Sequence, residues 1–100
     1  MYKIYYFNTN IKENLIQEGD KLTHIEKNLS LLRRSNKRNL VFTQKDISEL
    51  SLIPQTHISR LENGKESARL IDVMFYSRYF DVSIDDIVYK EYNPKTKKFE

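Results

Sequence analysis

Residues 43–64, TQKDISELSLIPQTHISRLENG, constrain the fold more than any other part of the chain. Two short amphipathic segments flank the break Leu52-Ile53-Pro54, and the second ends in Asn63-Gly64. The first opens at Thr43, with Asp46 three positions on. That is a capping-box pattern, in which two side chains satisfy free backbone N–H groups at a helix start. Ile47 and Leu50 supply its inward face. The second begins near Pro54 or Gln55. Proline suits a first helical turn, where its missing N–H would be unpaired anyway. Ile58 and Leu61 face inward, and Gly64 is placed to be the left-handed residue that stops the helix. The stretch predicts two helices joined by a tight turn.

Glycine and proline are scarce elsewhere, two of each in the whole chain, so the remaining helices should have few breaks. A helix is predicted over about 23–35, with Ile25, Leu29 and Leu32 at spacings of four and three and a capping box from Thr23 to Glu26. Residues 36–42 read as a loop with Phe42 packed inward. A fourth helix is expected from about Ala68 to Phe80, with Ser67 as a candidate cap. Leu70, Val73, Ser77 and Phe80 lie on its stripe, with Tyr76 beside it. A fifth, Ile84 to Tyr89, is capped by Ser83, with Asp86 at the capping-box position. The ending EYNPKTKKFE is polar and is expected to fray.

The first 22 residues form a separate N-terminal extension. MYKIYYF is dense in β-favouring residues and suits a strand. Asn10 to Glu13 is another capping-box pattern, and Ile11, Leu15, Leu22, Ile25, Leu29 and Leu32 fall on heptad-like spacings. Gly19-Asp20 favours two helices here over one long helix, in which the glycine would cost ~1 kcal/mol. MYKIYYF can equally cover the domain's own core or form a dimer contact. The chain thus divides into an extension (1–22), a helical domain (23–90) and a charged tail (91–100).

One hundred residues, 39% of them hydrophobic, suffice for one domain with a small helical core. With no cysteine there is no disulfide frame and no thiolate metal site. That fits a reducing compartment, and the cytoplasm is the expected location. No apolar run approaches the ~20 residues of a membrane span, and the start lacks the apolar region of a signal peptide. The net charge is +3, and residues 23–42 are the basic part, with Lys27, Arg33, Arg34, Lys37 and Arg38 against Glu26. This cluster can track phosphates or simply decorate a helix C-terminus, where cations are favourable. No nucleophile with a base, glycine-rich phosphate loop or carboxylate cluster at metal spacing is visible, which argues against an enzyme. Two histidines without cysteine argue against a zinc site, and no cofactor is expected.

Residues Leu29 to Val88 resemble the Xre-type, lambda-repressor-like helix-turn-helix family. The marks are Thr43-Gln44, Ile47-Ser48, Ile53, Ile58-Ser59, Leu61-Glu62-Asn63-Gly64-Lys65 and Val82-Ser83-Ile84-Asp85-Asp86-Ile87. The resemblance implies an all-α, five-helix bundle whose second and third helices place an α-helix in the DNA major groove. Four positions depart from the family pattern. Leu52 stands at the usual turn glycine, where a positive φ costs a residue with a Cβ about 1 kcal/mol or more. The turn could differ, or Leu52 could cover a neighbouring hydrophobic patch. Ser48 and Ser77 replace common alanines, and Ala68 a common proline.

The resemblance implies base reading by Gln55, Thr56 and Arg60, often with Ser59. The chemistry suits this: glutamine can bond adenine N6 and N7, and arginine guanine O6 and N7, each worth ~1–3 kcal/mol of discrimination. Thr56 can meet a thymine methyl or a phosphate. Thr43 and Gln44, at a helix N-terminus that favours anions, are candidate phosphate ligands. So are Lys65 and the N–H groups around Asn63, His57 at the rim, and Arg69, which matches a position that reaches toward the minor groove in some relatives. Glu62 is expected to pair with Arg33 on the first helix, a structural role. One such helix reads only a few base pairs, so a homodimer on a two-fold site is expected, with half-sites ~34 Å apart. The aromatic start, Ile11–Leu22 and the fifth helix are the candidate dimer surfaces. The expected function is a small transcriptional regulator that represses from a palindromic operator on double-stranded DNA. The alternative is an antitoxin-type protein whose main role is to bind a toxin or other protein partner, such as an anti-repressor, through its N-terminal arm.

Overall fold

A computed structural model describes residues 23–100. The expectations for residues 1–22, a strand, a helix and a dimer or partner arm, lie outside the described residues. Within them the chain forms α1 (His24–Arg34), α2 (Gln44–Ser51), α3 (Gln55–Glu62), α4 (Leu70–Phe80) and α5 (Ile84–Tyr89), followed by the two-residue strands β1 (Tyr92–Asn93) and β2 (Lys98–Phe99). No helix among the described residues is long and apolar enough to cross a membrane.

Helix α1 is the centre of the packing, touching α3, α4, α5 and β1. Its Ile25, Leu29 and Leu32 enter the core, as their spacing requires, and meet Ile58 and Leu61 of α3, Val73, Tyr76 and Phe80 of α4, and Ile87 of α5 in one apolar cluster. Burying each such side chain contributes roughly 1.5–3 kcal/mol. Phe42 closes the cluster from the loop, its ring edge-on to Tyr79 and Phe80 at 5.5 and 5.7 Å. Leu50, by contrast, is 49% exposed and does not join Ile47 on the core face.

Buried polar groups tie the elements together. Asn28 donates to the carbonyls of Ile87 (2.9 Å) and Lys90 (2.7 Å) and accepts the Tyr92 N–H (2.9 Å). It thereby closes the end of α5 and seats β1. Asn36 does the same inside the 36–42 loop, bonding the carbonyls of Leu32 and Leu40 and the N–H groups of Arg38 and Leu40.

Three local expectations are corrected. Thr23 precedes α1, but its hydroxyl donates to the Glu26 carboxylate instead of capping the backbone. Glu26 is buried and accepts the Ala68 N–H at 2.6 Å, joining α1 to the loop before α4. Helix α4 starts at Leu70, two residues later than expected, and Ser67 does not cap it. Asp72 does, accepting the Arg69 N–H at 2.8 Å. Finally, residues 91–100 do not fray. Tyr92 pairs with Phe99 and Asn93 with Lys98 in an antiparallel hairpin, and the Tyr92 hydroxyl donates to the Ser35 carbonyl at 2.6 Å. Tyr92 is only 5% exposed, and this burial against α1 holds the hairpin down.

Candidate nucleic-acid interface

The turn between α2 and α3 keeps the backbone of a glycine with a leucine in its place. Leu52 has φ 65° and ψ 15° and bonds the Ser48 carbonyl through its N–H. Its side chain is 88% exposed, so it covers no patch of the described chain. The Ser48 hydroxyl donates to the Ile53 carbonyl at 2.6 Å. The end of α4 repeats the device: Asp81 has φ 56°, and the Ser77 hydroxyl donates to the Val82 carbonyl at 2.6 Å. Both serines stand where the family pattern has alanine. Each sits four residues before a non-glycine residue in the left-handed region and anchors the carbonyl just after it. A net hydrogen bond of about 1 kcal/mol is comparable to the cost of that backbone.

Pro54, with φ −57°, lies just outside α3 at its N-cap. Ile53, 6% exposed, pins the turn to the core, while Ile58 and Leu61 bury the inner face of α3. The outward face carries Gln55, Thr56 and Arg60, all exposed, with Ser59 half-buried beside them. The four predicted base-reading residues thus share one face. At the other end Gly64 has φ 74°. Its N–H bonds the Leu61 carbonyl at 3.2 Å, and the Lys65 and Glu66 N–H groups bond that of Arg60 at 2.8 and 3.3 Å. This is a Schellman ending. It uses the N–H groups around Asn63, which therefore do not form the expected phosphate cradle. Among the candidates at this end, that leaves the side chains of Asn63 and Lys65.

Helix α3 is locked to α1 by a bidentate pair. Arg33 Nε donates to Glu62 Oε2 at 2.8 Å and Nη2 to Oε1 at 2.7 Å, while Nη1 donates to the Phe42 carbonyl at 2.8 Å. The pair expected between Arg33 and Glu62 is therefore present, with the two side chains 12% and 9% exposed. The hydrogen bond to Glu62 raises the Arg33 pKa further, so its charge is permanent. Gln44 Nε2 also donates to Glu62, at 3.0 Å, so its side chain is held by this lock. At the start of α2, Thr43 Oγ1 accepts the Asp46 N–H at 3.0 Å and Asp46 accepts the Thr43 N–H at 2.9 Å, the predicted capping box. The Thr43 N–H and hydroxyl hold the Asp46 carboxyl below its ordinary range.

His57 does not stand at the rim. Its side chain is 12% exposed, with Nδ1 hydrogen-bonded to Glu66 and Nε2 to the fully buried Asp72 at 2.8 Å. Arg60 Nε donates to the other Glu66 oxygen at 2.9 Å. The His57 bond, with Arg60 adding to it, holds the Glu66 carboxyl below its ordinary range against a weaker push from burial. Arg69 remains largely exposed, with Nε 3.5 Å from Asp72. Glu66 and Asp72 had no role in the sequence reading. Their only sequence signal is an acid within reach of α3 across a short loop, which spacing alone does not resolve.

The basic cluster of residues 23–42 is partly consumed by the fold. Arg33 is drawn inward, and Arg38 lies over the Tyr79 ring, 4.9 Å from its centroid, while donating to the Tyr79 carbonyl at 3.1 Å. Arg33 and Arg34 occupy the last turn of α1, in keeping with the helix-end reading. Among the described residues no cluster of three or more His, Asp or Glu side chains could hold a metal ion.

A family model described as helix-turn-helix matches residues 37–87, from the loop before α2 into α5. No curated protein and no solved structure matches the chain. The match covers just over half of the chain and contains the whole α2-turn-α3 unit and the outward face of α3. The chain belongs to the Xre-type, lambda-repressor-like helix-turn-helix family of DNA-binding transcription regulators.

Proposed function

We propose that the chain acts in the cytoplasm as a small, non-catalytic repressor that binds a palindromic operator as a homodimer. Helix α3 lies in the major groove, where Gln55, Thr56, Ser59 and Arg60 read base edges. Thr43, Asn63, Lys65 and Arg69 serve as phosphate ligands around that groove, and Gln44, its amide N–H held by Glu62, adds only its carbonyl end and the N–H groups beside it. The observation that carries this reading is the outward face of α3. It is polar and exposed, backed by the buried Ile58 and Leu61 and fixed to α1 by the Arg33–Glu62 pair. A recognition helix must be held rigidly to convert hydrogen bonds into discrimination, and this one is anchored at both ends. His57, enclosed by two carboxylates, orders the α3 surface and is not itself a phosphate ligand. The homodimer follows from the few base pairs that one helix reads.

Duplexes enriched from a random-sequence pool, followed by mobility-shift titration, provide the test. The variant Gln55→Ala/Arg60→Ala should lose at least about tenfold in specific affinity, given ~1–3 kcal/mol per bidentate contact. It should keep its helical content. Unchanged specific binding would rule out the assigned face.

A further inference from the structure

The geometry points to Glu66 as a positioning residue that sets how Arg60 reads its base. This inference rests on the reading above that Arg60 faces DNA. An exposed arginine explores many rotamers and meets phosphates as readily as bases. Here Arg60 is held from one side: its Nε donates to Glu66 Oε2 at 2.9 Å, although the side chain is 55% exposed. Engagement through Nε leaves the Nη1–Nη2 edge of the guanidinium unused by Glu66, a fork whose shape matches guanine O6 and N7. Glu66 is fixed in turn. Its other oxygen is hydrogen-bonded to His57 Nδ1, and His57 Nε2 is bonded at 2.8 Å to Asp72, which is 0% exposed and caps α4. The relay Arg60–Glu66–His57–Asp72 therefore ties a surface guanidinium to a buried anchor on a different helix.

The pairing has a second effect. A carboxylate beside Arg60 offsets much of its charge, so Arg60 attracts the phosphate backbone less. Non-specific binding is largely electrostatic, whereas a bidentate base contact depends on direction. Glu66 thus lowers the affinity for arbitrary DNA while it sharpens the reading of one base pair.

The test uses the full chain and a random-sequence duplex library, enriched and sequenced for the parent, Glu66→Ala, Arg60→Ala and the double variant. Binding to a fixed unselected duplex is measured alongside. Glu66→Ala should lower discrimination at the Arg60-dependent base pair by about tenfold, with unselected-duplex affinity equal or higher. In the Arg60→Ala background, Glu66→Ala should change discrimination no further. Glu66→Gln, which loses the charge and one acceptor, should fall between parent and Glu66→Ala. Three results would overturn the proposal: equal loss of selected and unselected binding, which marks a merely structural role; full discrimination in Glu66→Ala while Arg60→Ala is impaired; or the same loss from Glu66→Ala with and without Arg60. Unchanged discrimination in Arg60→Ala would instead remove the reading on which the proposal rests, and the proposal with it.

Discussion

Leu52 shows how one residue can break a family preference without breaking the turn. The backbone keeps the left-handed conformation that glycine would adopt freely, at φ 65°. The side chain recovers nothing by burial, being 88% exposed. Relief of the left-handed cost, about 1–2 kcal/mol, exceeds the entropy that glycine adds to the unfolded chain, about 0.5–1 kcal/mol. Leu52→Gly should therefore stabilise the domain by about 0.5–1 kcal/mol, read as a higher urea midpoint, with DNA binding unaltered. A lower midpoint would mean that the leucine makes a compensating contact. The unusual φ at Leu52 was open to suspicion from the sequence, because the position was recognisable. The serine that supports it was not, since a hydroxyl-to-carbonyl bond across five residues leaves no periodic trace.

At the level of elements, the lock between α1 and α3 is the feature most open to test. Removing one partner of a buried ion pair strands the other, at about 3 kcal/mol or more. Glu62→Ala should lower stability by about that amount and also release Gln44. At a temperature where the variant is still folded, it should prefer the same bases as the parent, although α3, released from α1, should discriminate between them less sharply. Thermal unfolding followed by circular dichroism checks the first part, and sequencing of selected duplexes the second. A changed base preference in a stable variant would place Glu62 in the reading face.

The helices were legible in the sequence because their signals are local. Ile25, Leu29 and Leu32 repeat at helical spacing, Thr43 and Asp46 cap each other, and Gly64 ends α3. The hairpin was hidden. Asn93-Pro94 is a turn signal, but the flanking residues are polar, and only Tyr92 and Phe99 offer apolar surface. What settles Tyr92 in place is Asn28, 64 positions away. The start of α4 was missed for a similar reason, because its cap is the carboxylate of Asp72 rather than a Ser67 hydroxyl. Likewise, the inward turn of His57 depends on Glu66, in the loop after α3, and on Asp72, in α4.

The whole molecule should be stable over a window of pH with two distinct edges. The Asp46 and Glu66 carboxyls are held below their ordinary values in the folded state. Their contribution is complete above an unfolded carboxylate pKa of about 4 and is lost as pH falls through the lowered folded values. Burial raises the Tyr76 and Tyr92 phenols. Their contribution is complete below an unfolded phenol pKa of about 10 and is lost as pH rises through the folded values. Melting temperature against pH should thus form a plateau that falls below about pH 4 and above about pH 10. Asp46→Asn should flatten the acid edge, and Tyr92→Phe the alkaline one. An acid edge unchanged in Asp46→Asn would mean that other carboxylates control it.

The C-terminal hairpin also governs the order in which this domain can assemble during synthesis. Helix α1 is among the first of the described elements to be made, yet the Asn28 side-chain oxygen and the Ser35 carbonyl receive their partner from Tyr92. Tyr92 in turn is covered by the Phe99 ring, 5.0 Å away. A growing chain that has emerged only as far as α5 carries the whole face of α3 proposed to read bases, but its first helix still has an open flank. The packing around α1 is therefore completed late, when nearly all of the described chain has been released.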